Sequence, residues 1–166
     1  MSVLTVIVAV VAIVLCGAAS GVFFAFSTSV MPGLDAIKPD QAINAMVSMN
    51  RKIINPAFLA AFVGTPFVTA VTGVLLLVDD ATGAALFFFA ATVVYLLGAV
   101  APTAVVNVPL NNALDAGPVP AADDEVARMW SDYSIRWTRW NHWRAVFSLA
   151  TLVLLGLGLL VWDYAG

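Results

Sequence analysis

Residues 137–144 read WTRWNHWR: three tryptophans, two arginines, an asparagine, a threonine and the chain's one histidine. Each type has a distinct chemical use. A guanidinium offers five donors to a negatively charged oxygen, and an amide both donates and accepts. A neutral imidazole can take a proton, and indole faces stack on flat rings. On a helix, Val126, Trp130, Tyr133, Trp137, Trp140 and Arg144 recur by steps of four and three, which puts them on one seam. Asn141 lies about 60° from Arg144 around such a helix, and His142 about 160° away. The seam ends where hydrocarbon begins, because no charged residue occurs from Ala145 to Trp162.

Two assignments compete for Arg144. Facing other helices, it needs a carboxylate, a carbonyl, water or an anionic ligand to satisfy its donors. Facing lipid, it reaches the headgroups while the tryptophans form an aromatic belt. The seam position brings the two level. His142 can share a pocket with Arg144 only if the helix bends or the pocket wraps around it. Enclosed beside arginines, it would stay neutral and able to act as a base. Otherwise it is a structural residue at the membrane surface.

Asn50, Asn55, Asn107, Asn111, Asn112 and Asn141 all fall at span ends or connections on one membrane side. Their amides suit carbonyl or phenol oxygens, and equally suit helix caps and closure of a bundle mouth. One histidine, one distant cysteine and loop carboxylates do not assemble a metal-ligand set, so no metal is expected. There is no glycine-rich phosphate loop and no nucleophilic triad pattern. Nor does any span hold an Asp, Glu or Lys for ion coupling.

The elements that position these groups follow from composition. The chain is 62% hydrophobic and 10% charged, against about a quarter charged in soluble domains. Mean hydropathy is +0.99. Charge-free stretches run through Met1–Leu34, Ile53–Val78, Ala81–Leu114 and Ala145–Trp162. Each holds roughly the 20 residues that cross a bilayer. The expectation is an all-α, four-helix transmembrane bundle in one domain over 1–166, with spans of about 3–30, 56–78, 84–107 and 143–162. The first span lacks a positive leading region and continues past Ala18–Ser20, so it reads as a retained helix. Pro32-Gly33 reads as its stop. A short interfacial helix is expected over Pro39–Lys52, and Asn55-Pro56 begins the next span well. Pro66 and Pro102 are expected kinks, and Pro109 should distort the end of span three. No Gly or Pro interrupts Val126–Leu155, so the last helix should extend from solvent into the bilayer.

All seven Lys and Arg residues accompany the two longer connections, whereas the turn DDATG (79–83) and both ends carry none. The positive-inside rule puts those connections in the cytoplasm and both termini outside, in a bacterial plasma membrane. A pI near 4.7 argues against nucleic acid as a partner.

VMPGL (30–34), MVSMNRKIINPAF (46–58), NVPLNN (107–112) and WTRWNHWR (137–144) together resemble the anthrone oxygenase-like family of small membrane proteins, in order along nearly the whole chain. The resemblance implies oxidation of an anthrone, or a similar hydrophobic phenol, by O₂ without a cofactor. Asn107, Asn111, Asn141, His142 and Arg144 stand in the matching motifs. The roles inferred there make His142 the base, with Arg144 and Asn141 holding the developing oxyanion. Asn107, Asn111, Trp137, Trp140 and Asn55 would bind the substrate. The alternative is a non-enzymatic accessory protein whose Trp/Arg collar binds lipid, a quinone or a partner subunit. Self-association or a partner membrane subunit stays open.

Overall fold

The structure, a computed structural model, describes residues 2–117 and 120–164. Among them five helices form and no strand: α1 (Val3–Asp35), α2 (Pro39–Ile53), α3 (Pro56–Val78), α4 (Thr82–Ala116) and α5 (Asp123–Tyr164). All but α2 are long and apolar enough to cross a membrane, and the chain is an integral membrane protein. α2 is the short connecting helix, and α5 carries the last span well beyond the hydrocarbon.

Local chemistry sets the helix starts. Ser2 caps α1 by accepting from the Thr5 N–H. Asn55 caps α3 through the Phe58 N–H at 3.0 Å, with Pro56 in the first turn, where a missing N–H costs nothing. Asp123, Asp124 and Glu125 occupy the first turn of α5, where the helix dipole favours them.

The four long helices close a ring. α1 packs on α3 and α5, α4 packs on α3 and α5, and α2 lies across one end. Small side chains on α1 (Ala9, Ala12, Cys16, Ala19) and hydroxyls on α3 (Thr65, Thr69, Thr72) are buried, which lets the backbones approach closely. Gly98 of α4 takes this furthest. A Cβ there would lie 2.2 Å from the Phe147 Cβ of α5.

Three prolines behave alike. The residue before each donates five residues back rather than four: Met31 to the Phe26 carbonyl, Ala101 to Leu96 and Val108 to Thr103. Each wider, π-helical turn therefore ends just ahead of Pro32, Pro102 or Pro109, which have no N–H to give. α1 accordingly runs on where a stop was expected, and the distortion expected near Pro109 is the wider turn ahead of it. α1 continues past Pro32-Gly33 to Asp35, and α4 continues past Asn107 to Ala116. α3 stays α-helical through Pro66.

Candidate functional site

The buried face of α5 passes through Val126, Trp130, Tyr133, Trp137, Asn141, Arg144, Ser148, Thr151 and Leu155. It leans toward α1, so Asn141 is enclosed while Trp140, about 40° to the other side of Arg144, lies at the edge. Trp140 is exposed, packs edge-on against Trp143, and lines no part of the site. These two rings belong to the aromatic belt.

Arg144 points inward and is 5% exposed. It donates to Thr103 Oγ1 at 3.1 Å and to Asn141 Oδ1 at 2.7 Å. Its guanidinium also lies 4.6 Å from the Phe23 ring centre and 5.2 Å from that of Trp137. The Asn141 amide in turn donates to the Phe23 carbonyl and to Ser27 Oγ, both at 2.8 Å, which fixes it on the π-helical end of α1. Asn107, fully buried, donates to the Trp137 carbonyl at 3.3 Å. No ion pair to Arg144 exists among the described residues. A buried guanidinium without a carboxylate is an unusual and costly arrangement.

These groups line a cavity of about 270 Å³. Its apolar walls are Phe23, Phe26, Phe58 and Phe62, with Phe58 and Phe62 stacked at 5.6 Å and Phe26 tilted against Trp137 at 5.5 Å. Its polar side is Thr103, Asn107, Trp137, Asn141 and Arg144. Three buried polar atoms of these residues have no hydrogen-bond partner: Arg144 Nε, Trp137 Nε1 and Asn107 Oδ1. Buried groups are normally paired, so the polar side of the cavity keeps two unused donors, Arg144 Nε and Trp137 Nε1, and one unused acceptor, Asn107 Oδ1. At the α2 end, Tyr133 Oη donates to Asn111 Oδ1 at 2.9 Å, and the Asn50 amide reaches Tyr133 at 3.5 Å.

Asn107, Asn111, Trp137, Asn141 and Arg144, all expected at the site, line this cavity. Three others expected there do not. Asn55 caps α3 and also donates to the Lys52 carbonyl, so its amide is spent outside the cavity. Trp140 lies at the edge of α5. His142 is exposed on the far side of α5, beside Asp35, Thr138 and Arg139, where the helix is unbroken and not enclosed. Among the described residues, no histidine, aspartate or glutamate lines the cavity. The expectation of a base at His142 therefore fails on geometry. Phe23, Phe26 and Thr103 were not among the expected site residues. Only the i, i+3 pair Phe23/Phe26, ahead of Pro32, signalled α1's share. Among the described residues, no three His, Cys, Asp or Glu side chains group closely enough to hold a metal ion.

A family model described as Anthrone oxygenase matches residues 56–154, more than half of the chain. The match takes in NVPLNN and WTRWNHWR, whereas VMPGL lies outside it. No curated protein and no solved structure matches the chain.

Proposed function

Since the chain belongs to the anthrone oxygenase family, we propose that it oxidises an anthrone or a closely related phenolic aromatic with O₂ inside the membrane, without a cofactor. The observation that supports this most is Arg144: buried, with no carboxylate partner, and facing an aromatic-walled cavity. In such a site a developing oxyanion supplies the missing negative charge, and fixed donors act strongly where water is scarce.

The reaction converts the ring methylene and O₂ into a carbonyl and water. The methylene first loses a proton, and the electron pair left behind delocalises onto the ketone oxygen as an enolate. Arg144, with Trp137 Nε1 beside it, donates to that oxygen, and Asn107 Oδ1 accepts from a phenol hydroxyl of the same ligand. The enolate carbon gives its electrons to O₂ and forms a C–O bond. The resulting hydroperoxide loses water across its C–H and O–O bonds to leave the second carbonyl. No described lining side chain is a base, so a water entering from the membrane surface takes the first proton, and that proton returns to the peroxide oxygen once the C–O bond has formed. The site's contribution is to make that proton more acidic, not to remove it.

Oxygen uptake with emodin anthrone in nanodiscs, corrected for spontaneous oxidation, tests the reading. Uptake at background despite ligand binding would leave a binding protein instead. We also place both termini outside and the Asn107/Trp137 end in the cytoplasm, from the distribution of Lys and Arg. A cysteine in the Asp79–Gly83 turn, in a Cys16→Ser background, should react with an impermeant thiol reagent from outside. Reaction only after permeabilisation reverses this assignment.

A further inference from the structure

Taking this cavity as the site of a hydrophobic aromatic substrate, we propose that it loads sideways from the bilayer, through a gap between α3 and the far end of α4. The walls are closed elsewhere. α1 packs along α3 and α5, and α4 along α5. α2 covers the end through Met49, Asn50 and Ile53, and is tied to α4 by the Arg51–Asp115 ion pair. α3, however, packs on α4 only along Thr82–Val100, and no comparable packing joins it to 103–116. The two spans start together at the Asp79 turn and part toward the cavity.

Exposure of the lining residues marks the same side. On the α1 and α5 walls, Phe23, Trp137, Asn141 and Arg144 are all at 5% or below. Across the gap, Leu59 and Val63 of α3 are 41% and 45% exposed, Val108 of α4 is 43%, and Ile54, just ahead of α3, is 70%. All four also line the cavity, and together they mark an opening that runs from the α2–α3 junction along the gap. These four are apolar, and Leu59 and Val63 lie within the charge-free run of α3, so hydrocarbon faces that part of the rim.

The opening sets how a ligand sits. The oxygen-bearing edge goes in first, toward Arg144 and Asn107, and the opposite edge stays at Leu59, Val63 and Val108. At about 270 Å³ the cavity is slightly below the ~300–1,000 Å³ of most small-molecule sites. It holds a few fused rings and little more. Larger substrates are those with an alkyl or isoprenoid substituent opposite the reacting oxygens, left in the lipid.

The route can be read without catalysis. In a Cys16→Ser background, Phe58→Cys places a thiol on the cavity wall, and Val22→Cys does so from α1 if the first variant fails to fold. In nanodiscs, N-phenylmaleimide, uncharged and lipid-partitioning, should label either thiol. Adding Val63→Trp and Val108→Trp should slow labelling about tenfold, equivalent to a barrier ~1.4 kcal/mol higher. Leu86→Trp, on the lipid face near the Asp79 turn, should leave it unchanged. Labelling indifferent to the rim tryptophans, or slowed instead by Met49→Trp beneath α2, would overturn the lateral route. Rim-sensitive labelling with no oxygen uptake would sink the oxidation reading and leave the route standing.

Discussion

Replacing Arg144 by glutamine separates a chemical role from a structural one. Thr103 and Asn141 take donors from the two terminal nitrogens, Nε has no partner, and two aromatic rings flank the plane. Toward a neutral ketone, losing one hydrogen bond costs about 0.5–1.5 kcal/mol, so affinity under argon should weaken about tenfold at most. Toward an enolate, loss of one oxyanion donor costs about 2.7–4 kcal/mol, so kcat should fall about 10²–10³-fold. Stability should move the other way, or not at all. A glutamine amide can still donate to Asn141, and the variant no longer buries an unpaired charge, whose desolvation costs several kcal/mol. Cation–π contacts worth up to ~2 kcal/mol each offset part of that gain. The assays are oxygen uptake with emodin anthrone, anaerobic titration of the same ligand, and thermal unfolding in one nanodisc preparation. Unchanged kcat would remove Arg144 from the chemistry. A fall in kcat matched by a large drop in Tm would make it a structural residue.

His142→Ala should retain turnover within about twofold, because the ring lies outside the cavity; a loss above tenfold in oxygen uptake would reinstate it as the base. Gly98→Ala should destabilise the bundle by about 1–3 kcal/mol, read by denaturant titration, since the new methyl meets the stem of Phe147 and α4 must shift off α5. A neutral result there would mean that the two helices separate at little cost. The Asp79 carboxyl is held below its usual pKa, first by the Ser2 N–H it accepts at 3.0 Å and then by the Thr5 hydroxyl. Its contribution to stability is therefore fully present above the ordinary carboxylate pKa and disappears as pH falls through the lowered folded value. Asp79→Asn should accordingly lower Tm slightly at neutral pH and converge with wild type in acid, and a difference that widens in acid would refute this sign.

The spans were legible because hydrocarbon excludes charge, so their limits are written as charge-free runs. Arg144 and Trp137 were legible from the periodicity of α5, and Asn107 and Asn111 from falling at span ends on the same membrane side. Helical periodicity fixes the angles between residues of one helix but not the arc that its neighbours cover. Trp140 and Asn141 flank Arg144 on either side, and only the packing of α1 decides that Asn141 is enclosed. Asn55 was misread because a capping amide and a ligand-binding amide look identical in sequence. His142 was misread because composition put it beside the right residues, although its direction on a straight helix already argued against it. The stop expected at Pro32 failed for a further reason. A helix can pass a proline by widening the turn before it, and no residue type announces that choice.

Those widened turns bear on how the site tolerates insertions and deletions. A π-helical turn is, in chain terms, one residue more than an α-helix needs. Losing one residue between Thr103 and Asn107 would let a regular turn form in its place, and everything beyond it would keep nearly its present direction, because the wider turn already absorbs the surplus. Winding the same five residues as regular α-helix would instead swing Asn111 and Leu114 by roughly 100° off the faces they occupy. Binding of emodin anthrone should thus survive deletion of Val105, and its abolition would show that the turn does not absorb a whole residue. The width of this one turn, more than any side chain in it, keeps α4 aimed at the cavity.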